Sequence, residues 1–451
     1  MSTPEDHQNA GEPMPGAPRP GAAREGTAQT SAEQAAPAQT GSGQPGHVGR
    51  SEEDRSANLV HEILSSSWLL SLLALVVALA VGGVLIAAAD EQVQEAAGYL
   101  FARPTDFIGA AWSAVSEAYV ALFHGAVFDG QSATFTRSIR SVTETLTVST
   151  PLILAGLGVA LAFRASLFNI GAQGQIIMGA TFAAWVGFTW HLPVGVHVVV
   201  AVLAGILGGA LWGAIPGFLR ARTGAHEVIV TIMLNYIAVY LISYLLITPA
   251  FQRPGSSNPV SPLLDDTALY PLLLGSGFRL HAGFLVAIAA TAFVWWLLNR
   301  STVGFRFRAV GLNPHAARTA GIKVEWAYVL VMIVAGGLAG LAGTAQVMGT
   351  EKYLTAGIAA SFGFDAITVA LLGRSRPIGV FFAGLLFGAL RAGGVTMQAR
   401  TGTPIDIVLV VQSVIVLLIA APPLVRAIFR LPAPNSRPRS ARPAAVKEAQ
   451  A

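Results

Sequence analysis

Long apolar blocks, separated by short polar or glycine- and proline-rich breaks, fill the chain from Trp68 to Ala421. A helix needs roughly 20 apolar residues to cross about 30 Å of hydrocarbon. The pattern predicts ten membrane-spanning helices, at 68–89, 144–163, 174–190, 194–219, 227–248, 282–298, 326–348, 361–373, 378–397 and 404–421. One further stretch, Phe107 to Phe128, is only moderately apolar and is broken by Glu117, His124 and Gly125. It reads as an interfacial helix in an extracytoplasmic segment 104–140, with an eleventh span as the alternative. Residues 1–58 are rich in Gly, Pro, Ala, Gln, Ser and Glu, and residues 431–451 are Ala/Pro-rich and basic. Neither segment can bury enough apolar surface to fold, so both read as disordered tails. The first apolar block lies too far from the N-terminus for a secretory signal. The expected fold class is an all-α polytopic membrane protein, with a membrane domain at 59–430 between disordered tails.

Charge agrees with this reading and orients it. Hydrophobic residues make up 53% of the 451 and charged residues only 12%, against about 25% charged in average soluble proteins. With the N-terminus inside, Arg164, Arg220, Arg222, Arg300, Arg306, Arg308, Arg374, Arg376 and Arg426 all fall at inner ends. Asp90, Asp106, Asp129, Asp265, Asp266 and Glu351 fall outside. This is the positive-inside pattern, and over ten spans it places both termini in the cytoplasm. Arg137, Arg140, Arg253, Arg279 and Arg400 break it. With no cysteine, disulfides and thiolate metal sites are excluded.

Glycine is abundant within the blocks. Gly205, Gly208 and Gly209, and again Gly336, Gly337, Gly340 and Gly343, place small residues three and four apart, the spacing that lets helices pack closely in lipid. Each set is followed by a similar run: Glu227-Val-Ile-Val-Thr231-Ile-Met-Leu234 and Asp365-Ala-Ile-Thr368-Val-Ala-Leu-Leu372. The first starts at an inner end and the second at an outer one, as in an inverted repeat with a pathway near the midplane.

Motifs of enzymes are missing. There is no Gly-Lys-Ser/Thr phosphate loop, no HExxH and no GxSxG. The histidines are scattered. An enzyme is not expected; ATP and Mg would have to be bound by another chain, and nothing points to nucleic acid.

Three features carry candidate chemistry. Phe168-Asn169-Ile170-Gly171-Ala172-Gln173-Gly174-Gln175 sets three amides and two glycines between apolar blocks. An unpaired amide in lipid costs several kcal/mol. Asn169, Gln173 and Gln175 therefore either line a polar pathway or bond neighbouring helices, and the glycines favour a broken helix. Glu227, Thr231 and Asn235 share one helical face; Glu227 and Asp365 are either pathway carboxylates or helix-start charges, and depth decides between these. In the loop 299–325, Gly311-Leu-Asn313-Pro314 reads as a turn into a short helix His315–Ala320. Asn313 is its N-cap, Pro314 its first residue and Gly321 its stop.

At this loop the chain resembles a known family. Arg308 to Ile322, with Gly311, Asn313, Ala316, Ala317 and Gly321 in register, is similar to the coupling loop of permease subunits of simple-sugar and nucleoside ABC importers. The amide run, followed by His226-Glu-Val-Ile-Val-Thr-Ile-Met-Leu-Asn-Tyr-Ile237, looks like the nucleoside branch, although Gln173 stands where that branch commonly has Glu. The resemblance covers about 140–421. It implies an ABC ATPase subunit, a second permease subunit and an extracytoplasmic substrate-binding lipoprotein as partners. It also implies that Asn313, Pro314, Ala316, Ala317, Arg318 and Gly321 insert into the ATPase. The residues alone leave open an ion-coupled transporter using Glu227 or Asp365.

Overall fold

A computed structural model describes residues 67–430, except Gln131 and Ala133. The expected disordered tails lie outside the described residues. Within them the chain is helical, without named strands. The helices are α1 (Ser67–Ala89), α2 (Glu91–Ala97), α3 (Pro104–Ala126), α4 (Phe135–Arg164), α5 (Ala172–Thr189), α6 (Val196–Thr223), α7 (Glu227–Leu245) and α8 (Gly283–Arg300). They continue as α9 (Thr302–Leu312), α10 (Pro314–Thr319), α11 (Val324–Thr344), α12 (Phe362–Leu372), α13 (Pro377–Thr401), α14 (Asp406–Ala420) and α15 (Pro422–Phe429).

Seven helices among the described residues are long and apolar enough to cross a membrane: α1, α4, α6, α7, α8, α11 with its extension, and α13. Three expected spans differ. α5 has 18 residues, but its first turn carries Gln173 and Gln175. α12 has 11 residues, only about 16 Å of helix. α14 stops at a 92° bend before α15, because Pro422 and Pro423 cannot continue the hydrogen-bonded ladder. The helix expected at Phe107–Phe128 forms as α3, 104–126, and the end of the expected segment, 135–140, is the start of α4. The loop 299–325 also differs from the turn expected there, because Gly311 and Leu312 close α9.

Glycine decides the central packing. α6 and α11 share the most extensive helix contact. A Cβ on Gly340 would lie 2.3 Å from the Gly205 carbonyl oxygen, and one on Gly209 would lie 2.2 Å from that of Gly336. α5 enters the same knot, where a Cβ on Gly179 would meet Gly340 Cα at 2.4 Å. No other residue lets three backbones approach so closely. α4 is buried on all sides from Leu152 to Ala162 and packs on α11, α12 and α13. A second cluster, with Ala78, Ala118, Leu390 and Val411, joins α1, α3, α13 and α14.

The two ends differ. At one, Arg164 Nε donates to the Ser375 carbonyl at 2.8 Å and Ser166 Oγ to that of Gly311 at 2.6 Å. These bonds tie the end of α4 to the last turn of α9 and to the arginine-carrying turn after α12. At the other, residues 246–282 cover the helix ends: Tyr270 N donates to Met348 O, Leu264 N to Lys352 O and Asp265 N to Gly187 O. There α11 continues as a π-helical turn, Ala345–Glu351.

Candidate functional site

The chain does not enter α5 as a helix. Residues 167–170 are non-helical, and Leu167 and Asn169 are 2% and 1% exposed. Irregular backbone at membrane depth survives only where it is buried or lines a cavity. Asn169 makes the break possible. Its Oδ1 accepts the Gly171 N–H at 3.0 Å, a local turn, while its Nδ2 donates to Gln175 Oε1 at 3.1 Å.

Contacts place the break in depth. Gly174 sits against Trp212, and Gly213 against Gln175. From Gly213, α6 runs on ten residues to Thr223, so α5 begins about 15 Å inside the arginine-rich end. α12 begins at the same height, because Gly363 lies against the Gln173 backbone. Two helices thus start within the bundle, and Gln173 clamps them together. Its Nε2 donates to the Ala360 carbonyl at 2.6 Å and its Oε1 accepts the Gly363 N–H at 2.9 Å.

α7 adds Thr231 and Asn235, which are 0% and 4% exposed. Asn235 Oδ1 accepts the Gly174 N–H at 2.8 Å, and its Nδ2 donates to Ile170 O at 3.0 Å. Thr231 packs against Gly171. The face predicted for α7 is therefore real, and Asn169, Gln173, Gln175, Thr231 and Asn235 converge. Each amide is engaged on both its oxygen and its nitrogen by the protein itself.

The carboxylates separate by depth. Glu227 opens α7 eight residues before Asn235, about 12 Å nearer the arginine-rich end, and its Oε2 lies 3.5 Å from Arg220 Nε. Asp365 is level with the break. Its Oδ2 accepts from Arg391 at 3.0 Å and from Ser361 Oγ at 2.8 Å, and Arg391 also lies 4.4 Å from the Phe362 ring centroid. Arg391 is the residue that sequence reasoning passed over. A lone arginine inside the 378–397 block was the available signal, since charges within spans are costly and rarely idle.

Four of the five arginines that break the charge pattern share one place. Arg137, Arg140, Arg279 and Arg400 line, with Arg391, a cavity of about 810 Å³ between α3, α4 and α13. Arg400 pairs with Asp129 at 2.6 Å, and Arg279 with Glu144 at 3.2 Å. Arg253 donates its Nε–H to the Ser261 carbonyl at 3.0 Å and lies over Tyr353. Arg253, Arg279 and Arg400 are thus held by carboxylates, a carbonyl and a ring.

The end-covering loop holds a buried pair that the sequence did not mark. Tyr270 stacks on His281 with centroids 5.5 Å apart and hydrogen-bonds Thr344 at 3.0 Å. Burial pushes the Tyr270 phenol up to about 12. Burial, reinforced by the Arg279 cation, holds the His281 imidazole down to about 4.

The predicted short helix forms as α10. Asn313 Oδ1 accepts the N–H groups of His315 and Ala316 at 3.0 and 3.1 Å, Pro314 is its first residue, and Gly321 turns the chain at φ +82°. Ala317 is buried, and Arg318 reaches Glu325 at 2.5 Å.

Residues 141–420 match the model of the branched-chain amino acid transport system / permease component family. The chain belongs to this permease family. It is a transport component of the ABC type and not an enzyme. This permease is 38% identical to a guanosine ABC transporter permease protein of Bacillus subtilis over 68% of its own length and 86% of the relative. It is 35% identical to a nucleoside ABC transporter permease protein of Lactococcus lactis, over 63% and 80% of the two chains. A glucose ABC transporter permease protein of Haloferax volcanii is also 35% identical, over 62% and 75%. No solved structure matches the permease.

Proposed function

We propose that this permease forms the membrane pathway for nucleosides in an ATP-driven importer of a bacterial cytoplasmic membrane. The observation that carries this reading is the uncharged polar break at mid-height, where α5 and α12 both begin. Amides closed on one another and on backbone hold the break without a charge, and in transporters built on discontinuous helices the solute site lies where the breaks meet. The guanosine and nucleoside relatives supply the solute class. Asn169, Gln173, Gln175, Thr231 and Asn235 hold the break, Asp365 and Arg391 flank it, and Glu227 anchors the inner end of α7.

Ten passes belong to this reading. The non-helical segments before α5 and α12 complete two spans, and α14 with α15 makes another. So does an inverted repeat: the two glycine-rich helices, α6 and α11, pack on each other, and each is followed in sequence by a helix whose opening carboxylate pairs with an arginine. The cationic cavity between α3, α4 and α13 faces the side on which a substrate-binding lipoprotein would deliver solute. α10 would seat in the ATPase, which would hold ATP and Mg, and a second permease subunit would complete the pathway.

The test is uptake into proteoliposomes holding the permease with its ATPase, partner permease and lipoprotein. ATP-dependent uptake of labelled guanosine or adenosine, competed by other nucleosides, is expected. Glucose uptake without nucleoside competition would favour the sugar reading, for which the Haloferax relative speaks. Transport by this chain alone on a pH gradient would favour an ion-coupled carrier.

A further inference from the structure

At the arginine-rich end a second cavity, of about 510 Å³, opens between the end of α4, the last turns of α8, α9 and the start of α13. Arg164, Arg308 and Arg376 line it, and no carboxylate does. Arg164 spends its Nε on the Ser375 carbonyl. Arg308 Nε is buried without a hydrogen-bond partner. Three guanidiniums sharing one partly desolvated space repel one another and leave donors unfilled, so the site calls for an anion with several acceptor oxygens. Guanidinium groups match the oxygens of phosphate in bidentate geometry.

The rest of the lining says which phosphate. Trp295, Leu298 and Ile378 form the apolar side of the cavity. Trp295 and Ile378 are 41% and 55% exposed on two of the helices apolar enough to span. Tryptophan is enriched at the membrane–water interface, and basic pockets between spanning helices at that level bind anionic headgroups. A free anion has no use for an apolar wall continuous with the lipid-facing surface; an acyl chain does.

We propose that this cavity holds the phosphate headgroup of an anionic phospholipid, with Arg308 and Arg376 as its principal ligands and the acyl chains lying along Trp295 and Ile378. The site clamps α4, α9 and α13 where the chain enters the mid-height break, and it is independent of which solute is carried.

Retention of lipid by the full-length protein tests this, read by native mass spectrometry after exchange into detergent. Phosphatidylglycerol should be retained in preference to phosphatidylcholine. Replacing Arg308→Gln together with Arg376→Gln should weaken retention more than about tenfold. Arg222→Gln, an exposed arginine outside the cavity, should leave it unchanged. In the unmodified protein, raising sodium chloride from low to high concentration should weaken retention, an arm that needs no variant to fold. Equal retention of the two lipids, salt-independent retention, or unchanged retention in the double variant overturns the proposal. Displacement of phosphatidylglycerol by millimolar inorganic phosphate assigns the cavity to a free anion instead. Loss of ATPase co-purification from the double variant, with lipid retention intact, assigns it to the partner protein.

Discussion

Asn235 on α7 accepts the backbone N–H of Gly174 on α5 at 2.8 Å, in the turn where α5 resumes after its non-helical entry. The same side chain donates to Ile170 O at 3.0 Å, so one amide closes both strands of the break. Asn235→Ala leaves a buried donor and a buried acceptor unpaired, at about 1–3 kcal/mol each. The purified variant is expected to melt at a clearly lower temperature and to support little uptake. Asn235→Asp keeps the acceptor for Gly174 but faces Ile170 O with a carboxylate, and should do no better. A melting temperature equal to that of the unaltered protein in both variants would show that the break is held elsewhere.

Asp365 and Arg391 give a sharper pair test. Both side chains are partly exposed, at 21% and 27%, so their attraction is screened relative to a fully buried pair. Asp365→Asn and Arg391→Gln should each impair stability and transport, since each strands a charge within a span. The double variant should recover much of the stability, with a coupling energy of order 1 kcal/mol in a double-mutant cycle. Additive losses would mean that the two residues act separately.

The glycine knot predicts a position-specific steric effect. Gly340→Ala puts a Cβ 2.3 Å from the Gly205 carbonyl oxygen, and backbone cannot yield as a side chain can. Loss of folded, detergent-soluble protein is expected. Gly109→Ala meets nothing within 4 Å and should be silent. Comparable yields of the two variants by size-exclusion chromatography would remove the close-approach argument.

His281 gives a pH dependence. Its folded value is held to about 4, below the roughly 6.5 of an unfolded histidine. Between these values the unfolded chain binds more protons, so this contribution is full above about pH 6.5 and is lost as pH falls toward 4. Thermal melts at pH 7.5 and 4.5 should show this loss, and His281→Phe, which cannot titrate, should flatten it. An equal slope in the variant would assign the acid sensitivity to other groups.

The capped helix α10 can be loosened without touching the membrane. Asn313→Ala removes both cap bonds, worth about 0.5–2 kcal/mol to the helix. Gly321→Ala strains a turn at φ +82°. Both variants should insert normally yet lower ATP-dependent uptake and the ATPase rate of the assembled complex. Unchanged coupling in both would leave α10 without the proposed role.

Hydropathy and arginine placement sufficed for a helical membrane protein, and the Asn313–Gly321 pattern sufficed for α10, because both depend on residues near one another in the chain. The broken entry to α5 was legible in Asn169, Gly171 and Gly174 for the same reason. Arg391 was visible as a lone charge in an apolar block, but its pairing with Asp365, 26 positions away, was not.

What the sequence determined by itself was composition, period and local capping: which segments are apolar, where glycine permits close packing, and where a helix starts or stops. Tertiary structure alone decided depth and partnership. Glu227 and Asp365 look alike in the chain, yet one lies near the arginine-rich end and the other at the height of the break. The amides look like a pathway lining, yet each closes on protein. Burial and hydrogen bonding are set by neighbours far away in sequence, and only the packed bundle brings those neighbours into reach.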